Sequence, residues 1–384
     1  MGKKKLIVIW PYRFRDFDWQ RFELDFLAPH VEIHVHELID ALTPEFGAAY
    51  ANQSENPAVK RFASLKEWRK EFKKISEDAI VFNHVRPINL KSTLICATLR
   101  RSRAKIIQFF LGAVPFADVS FKPKFMEVPN SFKVWYHFLR RKILFFSMPH
   151  EVLVGGAEGC RLAKREFSSK VNLKIGSSFD FSNSKTLDLR KVLGVSFGVY
   201  LDVGFPGFRG DSIMEGKKTT VDPDHWYVRL NSLFGIIEDS FGLSVHVLAH
   251  PKHWGRDYSQ FFGSRKVIGN QTASFVKGAT LVVSLTSTSI SYAVMFNKPI
   301  FLVTSDQIQN GPDQYNRSLI ANISVETGAR IFNIDREYTE QDLREAMVID
   351  HAKYESYKRK YLTSRTDGKP NYQVLLDEVI FAED

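Results

Sequence analysis

The chain has 384 residues, of which 44% are hydrophobic, 13% aromatic and 25% charged, a composition near the globular mean that excludes a disordered, collagen-like or coiled-coil protein. At about 150 residues per domain, the length predicts two or three domains. Two cysteines, Cys96 and Cys160, are too few for a disulfide framework or a Cys-based zinc site, and a balance of 53 Lys and Arg against 43 Asp and Glu leaves a net charge of +10 that suits anionic partners.

The N-terminal Lys3-Lys-Lys5 followed by Leu6–Trp10 reads as a first β-strand rather than a secretion signal, because the apolar run stops at Pro11 and no small-residue cleavage site follows. No window approaches the ~18 continuous apolar residues that a membrane-spanning helix needs. Further strands are expected at Val31–His36, Ala79–Asn83, Lys105–Phe110 and Glu151–Val154, with helices over Leu65–Lys74 and Ser131–Lys142. Basic clusters at Arg61–Lys74, Arg100–Lys105 and Arg140–Lys142 read chiefly as solvated helix faces, with peripheral contact to an anionic membrane as the minority reading. The Ser-, Asn- and Asp-rich stretch Ser177–Lys185 reads as a linker.

A second alternating set follows. Strands are expected at Gly198–Leu201, Ser244–Ala249, Thr280–Ser284 and Lys298–Thr304, and helices at Asp224–Ser240, opened by the Asp222-Pro223 turn, and at Ser289–Phe296. Residues from Thr339 onward look mostly helical. No solenoid repeat is present. The fold class is therefore α/β with parallel sheets: an N-terminal acceptor domain over residues 1–180, a C-terminal nucleotide domain over 181–350 and a helical tail over 351–384.

Three segments carry chemistry. Leu281-Val-Val-Ser-Leu-Thr-Ser-Thr-Ser-Ile-Ser291 runs from an apolar strand into five hydroxyls in six positions, more than the one that helix capping requires, so Ser287, Thr288 and Ser289 are assigned to phosphate binding. Val245-His-Val-Leu-Ala-His-Pro251 ends a strand on His250, in the place where ligands of open α/β sheets lie. There an imidazolium could neutralise a departing phosphate or give it a proton. Gly198-Val-Tyr-Leu-Asp-Val-Gly204 closes another strand on Asp202, with Gly204 permitting close backbone approach. A carboxylate there can act as base or nucleophile beside a sugar, or simply form the turn.

In this order, Asp202-x-Gly204, His250-Pro251 and Ser287-Thr288 resemble the bacterial sialyltransferases and related enzymes that transfer nonulosonic or Kdo-type sugars from CMP donors. The resemblance spans roughly residues 198–305. It implies the GT-B glycosyltransferase fold, two Rossmann-like domains facing across a cleft, with Asp202 as the catalytic carboxylate, His250 on the CMP phosphate, and Ser287 and Thr288 binding that phosphate. Val203 stands where the family often has a second acid, which leaves Asp202 as base, nucleophile or orienting group. The run to Asn297-Lys-Pro-Ile-Phe-Leu-Val303 also resembles surface-polysaccharide biosynthesis proteins. The nucleotide assignment accordingly includes Pro251, and Lys252 is assigned with Gly204 and Glu158 to the cleft.

Other motifs weigh less. Val154-Gly-Gly-Ala-Glu-Gly159 lacks dinucleotide spacing, although its Glu158 is retained as an acceptor-side acid. His34-x-His36 reads as a strand surface rather than a metal site, and neither an Asp-x-Asp at a strand end nor a Walker lysine loop occurs, so no metal and no cofactor beyond the CMP-sugar co-substrate is expected. The function read here is a cytoplasmic glycosyltransferase at the inner face of the membrane, moving a CMP-activated sugar to a glycan or glycolipid acceptor of lipopolysaccharide or capsule. The alternatives are a CDP-glycerol-type polyol-phosphate transferase, which shares a His-Pro and a Ser-rich turn, and a non-catalytic sugar-nucleotide-binding subunit. Nucleic acid ranks last, since the basic clusters lack interleaved aromatics.

Overall fold

The structure is a computed structural model that describes residues 3–44, 54–87, 89–112, 114–115, 148–167, 171–186, 196–207, 221–250 and 257–382. The helix expected over Ser131–Lys142 lies outside the described residues, as do Pro251 and Lys252. The chain divides into two compact units, one made of Met1–Leu111, Ser120–Asn183 and Thr363–Asp384, the other of Gly112–Val119 and Ser184–Leu362.

The first unit holds a seven-stranded parallel sheet of β1 (Lys4–Trp10), β2 (Val31–Glu37), β3 (Val59–Arg61), β4 (Ile80–Asn83), β5 (Lys105–Phe110), β6 (Glu151–Gly155) and β7 (Asn172–Gly176), in the order β3-β2-β1-β4-β5-β6-β7. The second holds a six-stranded parallel sheet of β8 (Phe197–Leu201), β9 (Ser244–Leu248), β10 (Val267–Ile268), β11 (Val282–Ser284), β12 (Ile300–Thr304) and β13 (Arg330–Asn333), in the order β10-β9-β8-β11-β12-β13. Each sheet therefore reverses its winding once, between its first and fourth strands, and such a switch point is where open α/β sheets take ligands. The expected parallel α/β class is observed. Central strands such as β8 and β12 are buried at every position, which is why they read as unbroken apolar runs without alternation.

Helices follow their local signals. Leu65–Ile75 starts where the Ser64 side chain accepts from the Glu67 amide, and buries Trp68 and Phe72, four residues apart. Pro223–Phe241 starts where the Asp222 side chain accepts from the Asp224 amide and stops at Gly242 in the left-handed region. Short strands β3, β7, β10 and β13 escape the sequence reading because two to five residues carry too little periodicity.

Two sequence expectations are corrected. The glycine-rich segment after β6, which its composition marks as a loop, is not one, since β6 runs to Gly155 and the helix Gly156–Phe167 begins at the next residue. Gly159 serves close packing there, because a Cβ would stand 2.8 Å from the Phe110 carbonyl oxygen. Nor is Ser177–Lys185 a linker, since it contains the helix Phe179–Thr186 with Ser177, Ser178, Ser182 and Asn183 buried. Its polar side chains are spent inward. The Ser177 amide donates to Asn371 Oδ1 (2.8 Å), the Ser177 hydroxyl to Thr363 Oγ1 (2.8 Å), and the Asn371 amide to Ser182 Oγ (2.6 Å). Composition alone cannot separate a solvated polar run from a buried, hydrogen-bonded one.

The same network holds Glu23, which is 2% exposed, bonded to the Ser182 hydroxyl and accepts from the Tyr372 amide at 2.7 Å. Burial outweighs these bonds and raises its pKa to about 7. A carboxyl raised in the folded state stabilises fully below its unfolded pKa of about 4.5, and that contribution is gone once pH passes about 7. At 1.4 kcal/mol per unit this is roughly 3 kcal/mol. Glu23→Gln is thus expected to flatten the fall in thermal midpoint between pH 4.5 and 7; an unaltered pH profile would refute the assignment.

Candidate functional site

The site is read at the carboxyl edge of the second sheet. Leu248, Leu201, Ser284 and Leu302 form one row across β9, β8, β11 and β12. Asp202 stands one residue beyond that row, His250 two, and Ser287 to Ser289 three to five. With strands about 4.8 Å apart, the tips of β9 and β11 flank β8 within about 10 Å. The three motifs identified from sequence therefore meet at neighbouring strand ends, astride the β8–β11 switch point.

Asp202 is 2% exposed. Its Oδ1 accepts from the Gly204 amide (2.9 Å) and its Oδ2 from the Tyr258 hydroxyl (3.1 Å), and the Val203 and His250 backbone amides also donate to it. Burial is the larger influence and lifts its pKa to about 6. Gly204 has a φ of +72°, so the turn that brings its amide to the carboxylate sits where a side chain would be strained. Beside this group Tyr200 is fully buried, its hydroxyl without a hydrogen-bond partner among the described residues, and burial, then the Asp202 charge, pushes its pKa well up. Tyr227 donates to the Phe205 carbonyl at 3.4 Å. Chemically, this carboxylate fastens the loops after β8 and β9 together.

His250 is partly exposed, and its amide is held by Asp202. Among the hydroxyls, Ser284, Ser287 and Ser291 point inward, at 0%, 7% and 0% exposure. The Ser287 amide donates to Ser284 Oγ and the Ser289 amide to Ser287 Oγ, both at 3.3 Å. Thr286 donates to Asn316 Oδ1 at 3.3 Å. Thr288 is exposed and Ser289 partly so, and among the described residues their hydroxyls and the Thr288 amide have no protein partner. Three donors thus converge on one turn. The helix that follows spans only Ile290–Met295 rather than Ser289–Phe296, so individual hydrogen bonds, not the dipole of one and a half turns, carry the anion affinity.

Glu158 lies on the first turn of the helix after β6 and is ion-paired with Arg161 at 2.6 Å. His36 is buried and accepts from Trp68 Nε1 at 3.2 Å, while His34 pairs with Glu32 at 3.0 Å. Among the described residues no cluster of metal-ligating side chains is found, and no helix is long and apolar enough to cross a membrane. Sequence reasoning missed Tyr258, whose surroundings give no signal. It also missed a polar cluster at the ends of β12 and β13, where Asp335 bonds His225 Nε2 (2.7 Å) and the Asp306 amide (2.8 Å).

No protein-family model matches the chain, and no curated protein matches it. Solved structures do. The wall teichoic acid polymerase TagF aligns over 97% of this chain and 88% of its own with a TM-score of 0.56 at 12% identity. A putative UDP-N-acetylglucosamine 2-epimerase from Listeria monocytogenes aligns over 98% and 95% with a TM-score of 0.52 at 12% identity. S. aureus MnaA, solved with UDP, aligns over 93% and 92% with a TM-score of 0.51 at 12% identity. The two parallel sheets thus form a GT-B-like fold, which this chain shares with these structures.

Proposed function

We propose that the chain is a transferase of cell-envelope polymer synthesis that takes a cytidine-nucleotide-activated donor, with a CDP-alditol such as CDP-glycerol as the first choice. The observation that carries this reading is the convergence of Asp202, His250 and the Ser287–Ser289 turn on adjacent strand tips. The higher TM-score to TagF, which has also been solved after a soak with CDPG, favours the polyol-phosphate form of the reaction. In that form an acceptor hydroxyl attacks the β-phosphorus and gives up its proton to water, a new P–O bond forms, and the bond to the bridging oxygen breaks so that CMP leaves with the electron pair. Thr288 and Ser289 hold the donor phosphates. His250 offsets the charge on departing CMP, and Asp202 orients the loops that carry it. The net charge of +10 suits an anionic donor and an acceptor at an acidic membrane surface.

The order Asp-x-Gly, His-Pro, Ser-Thr supports a second reading, transfer of an acidic sugar from a CMP donor with attack at the anomeric carbon. A thermal-shift panel separates the two. A ligand at a hundred times its Kd stabilises by about 2.7 kcal/mol, which for units of this size raises the midpoint by roughly 5–10 °C. CDP-glycerol is expected to produce such a shift, and CMP a smaller one. A CMP-sugar shift without a CDP-glycerol shift would favour the second reading; silence from all cytidine nucleotides would refute both.

A further inference from the structure

The basic run Arg100-Arg-Ser-Arg-Ala-Lys105 reads from sequence as a solvated helix face, yet the structure turns its first member onto a ring. Helix Leu90–Arg100 ends on Arg100, and β5 starts at Lys105. The run therefore crosses the amino edge of the first sheet, opposite the edge where open α/β sheets take ligands. At the same edge His150 stands one residue before β6. Its backbone amide donates to the Ile106 carbonyl oxygen at 2.8 Å, and the Ile106 amide donates to its Nδ1 at 2.9 Å. Ile106 is buried, and a buried strand amide requires an acceptor.

That bond fixes where the ring carries its proton. A neutral imidazole has one nitrogen free to accept, and Nδ1 spends it on Ile106, so Nε2 bears the hydrogen. Desolvation, then the charges of Arg100 and Lys105, holds the His150 pKa below its ordinary value, which keeps the ring neutral at pH 7. Nε2 nevertheless faces Arg100 Nη1 at 2.9 Å, and a guanidinium can only donate. Two donors thus confront each other at the surface, and among the described residues neither has another partner. Carboxylates of this edge are engaged elsewhere: Glu77 pairs with Arg103 at 3.1 Å and Glu151 with Lys105 at 3.3 Å. Exposed Arg101, whose side chain has no partner among the described residues, adds a further positive charge.

We propose that Arg100 and the His150 ring form a phosphate-binding site at the amino edge of the first sheet, for a soluble phosphomonoester or the phosphodiester of a lipid headgroup. One phosphate oxygen accepts from both Arg100 Nη1 and His150 Nε2, which turns the facing donors into a pair of converging hydrogen bonds. A second oxygen takes another N–H of the guanidinium fork, the two-point geometry in which arginine holds phosphate. Neutral histidine suits this place because a protonated Nδ1 would oppose the Ile106 amide. The site stands apart from the cytidine-donor reading, which uses the carboxyl edge of the other sheet.

The test uses the full chain with 15N-labelled histidine, the His150 signal being identified by its loss in His150→Asn. Inorganic phosphate is expected to shift the Nε2 resonance saturably, chloride at matched ionic strength to leave it in place, and Arg100→Gln to weaken binding by about ten-fold. In His150→Asn the amide oxygen takes over acceptance from Ile106, so the thermal midpoint should hold while calorimetric titration shows phosphate affinity down by about ten-fold. A resonance unmoved at tens of millimolar phosphate, or moved as far by chloride, or shifted with equal affinity in Arg100→Gln, would overturn the proposal. Sedimentation with vesicles of phosphatidylcholine and phosphatidylglycerol in equal parts, lost in Arg100→Gln, would assign the phosphate to a lipid headgroup. Saturable phosphate binding without sedimentation would assign it to a soluble phosphomonoester.

Discussion

Replacing His250 with alanine is expected to lower transfer by about 10²- to 10³-fold, the usual cost of removing one group that meets developing charge, with the thermal midpoint nearly unmoved. One structural tie at this position is the backbone amide that donates to Asp202, and alanine keeps it. The imidazole belongs to a partly exposed residue beyond the end of β9, where truncation opens no core cavity. Turnover of the donor by the purified variant, measured as released CMP beside a melting curve, checks both halves. Turnover within a few-fold of the parent would remove His250 from the chemistry.

Asp202→Ala should behave in the opposite way, as a failure of folding first. Four donors converge on the carboxylate, the amides of Val203, Gly204 and His250 and the Tyr258 hydroxyl, and alanine strands them in an enclosed place. At about 1 kcal/mol or more for each unsatisfied group the loss is roughly 3–5 kcal/mol, a fall of about 10 °C in the midpoint. Asp202→Asn keeps an acceptor oxygen and should recover part of it. Because burial raises this carboxyl to about 6, its protonated form stabilises fully below about pH 4, and the contribution is lost as pH rises through 6. The asparagine variant should show that slope no longer. Normal melting with abolished transfer in Asp202→Ala would instead make the carboxylate a catalytic residue.

The contrast between these variants marks how far sequence carries. Long buried strands and capped helices were readable because each signal is local: β5 is found at Lys105–Phe110 as expected, and the Asp222-Pro223 start of the long helix follows from capping chemistry. The three motifs were readable as strand ends, and parallel topology then brings strand ends to one edge. Side-chain direction was not. Nothing in Asp202-Val203-Gly204 shows that the carboxylate turns inward to Tyr258, 56 residues away, because that depends on non-local packing. The same holds for Ser287, whose hydroxyl braces its own turn while Thr288 and Ser289 remain open.

The first unit draws on residues separated by nearly the whole chain. Val374, Leu375, Val379 and Ile380 complete the same apolar cluster as Leu6, Val8 and Val35, and Asn371 bonds both the amide and the carbonyl of Ser177. During synthesis, part of that face therefore stays open to water until residues 371–380 have followed the sheet, although Phe14, Phe22, Leu24 and Leu27 can cover the rest of it beforehand. Full cooperativity of this unit accordingly depends on pairing segments far apart in sequence, which slows folding through the entropy of closing the intervening chain.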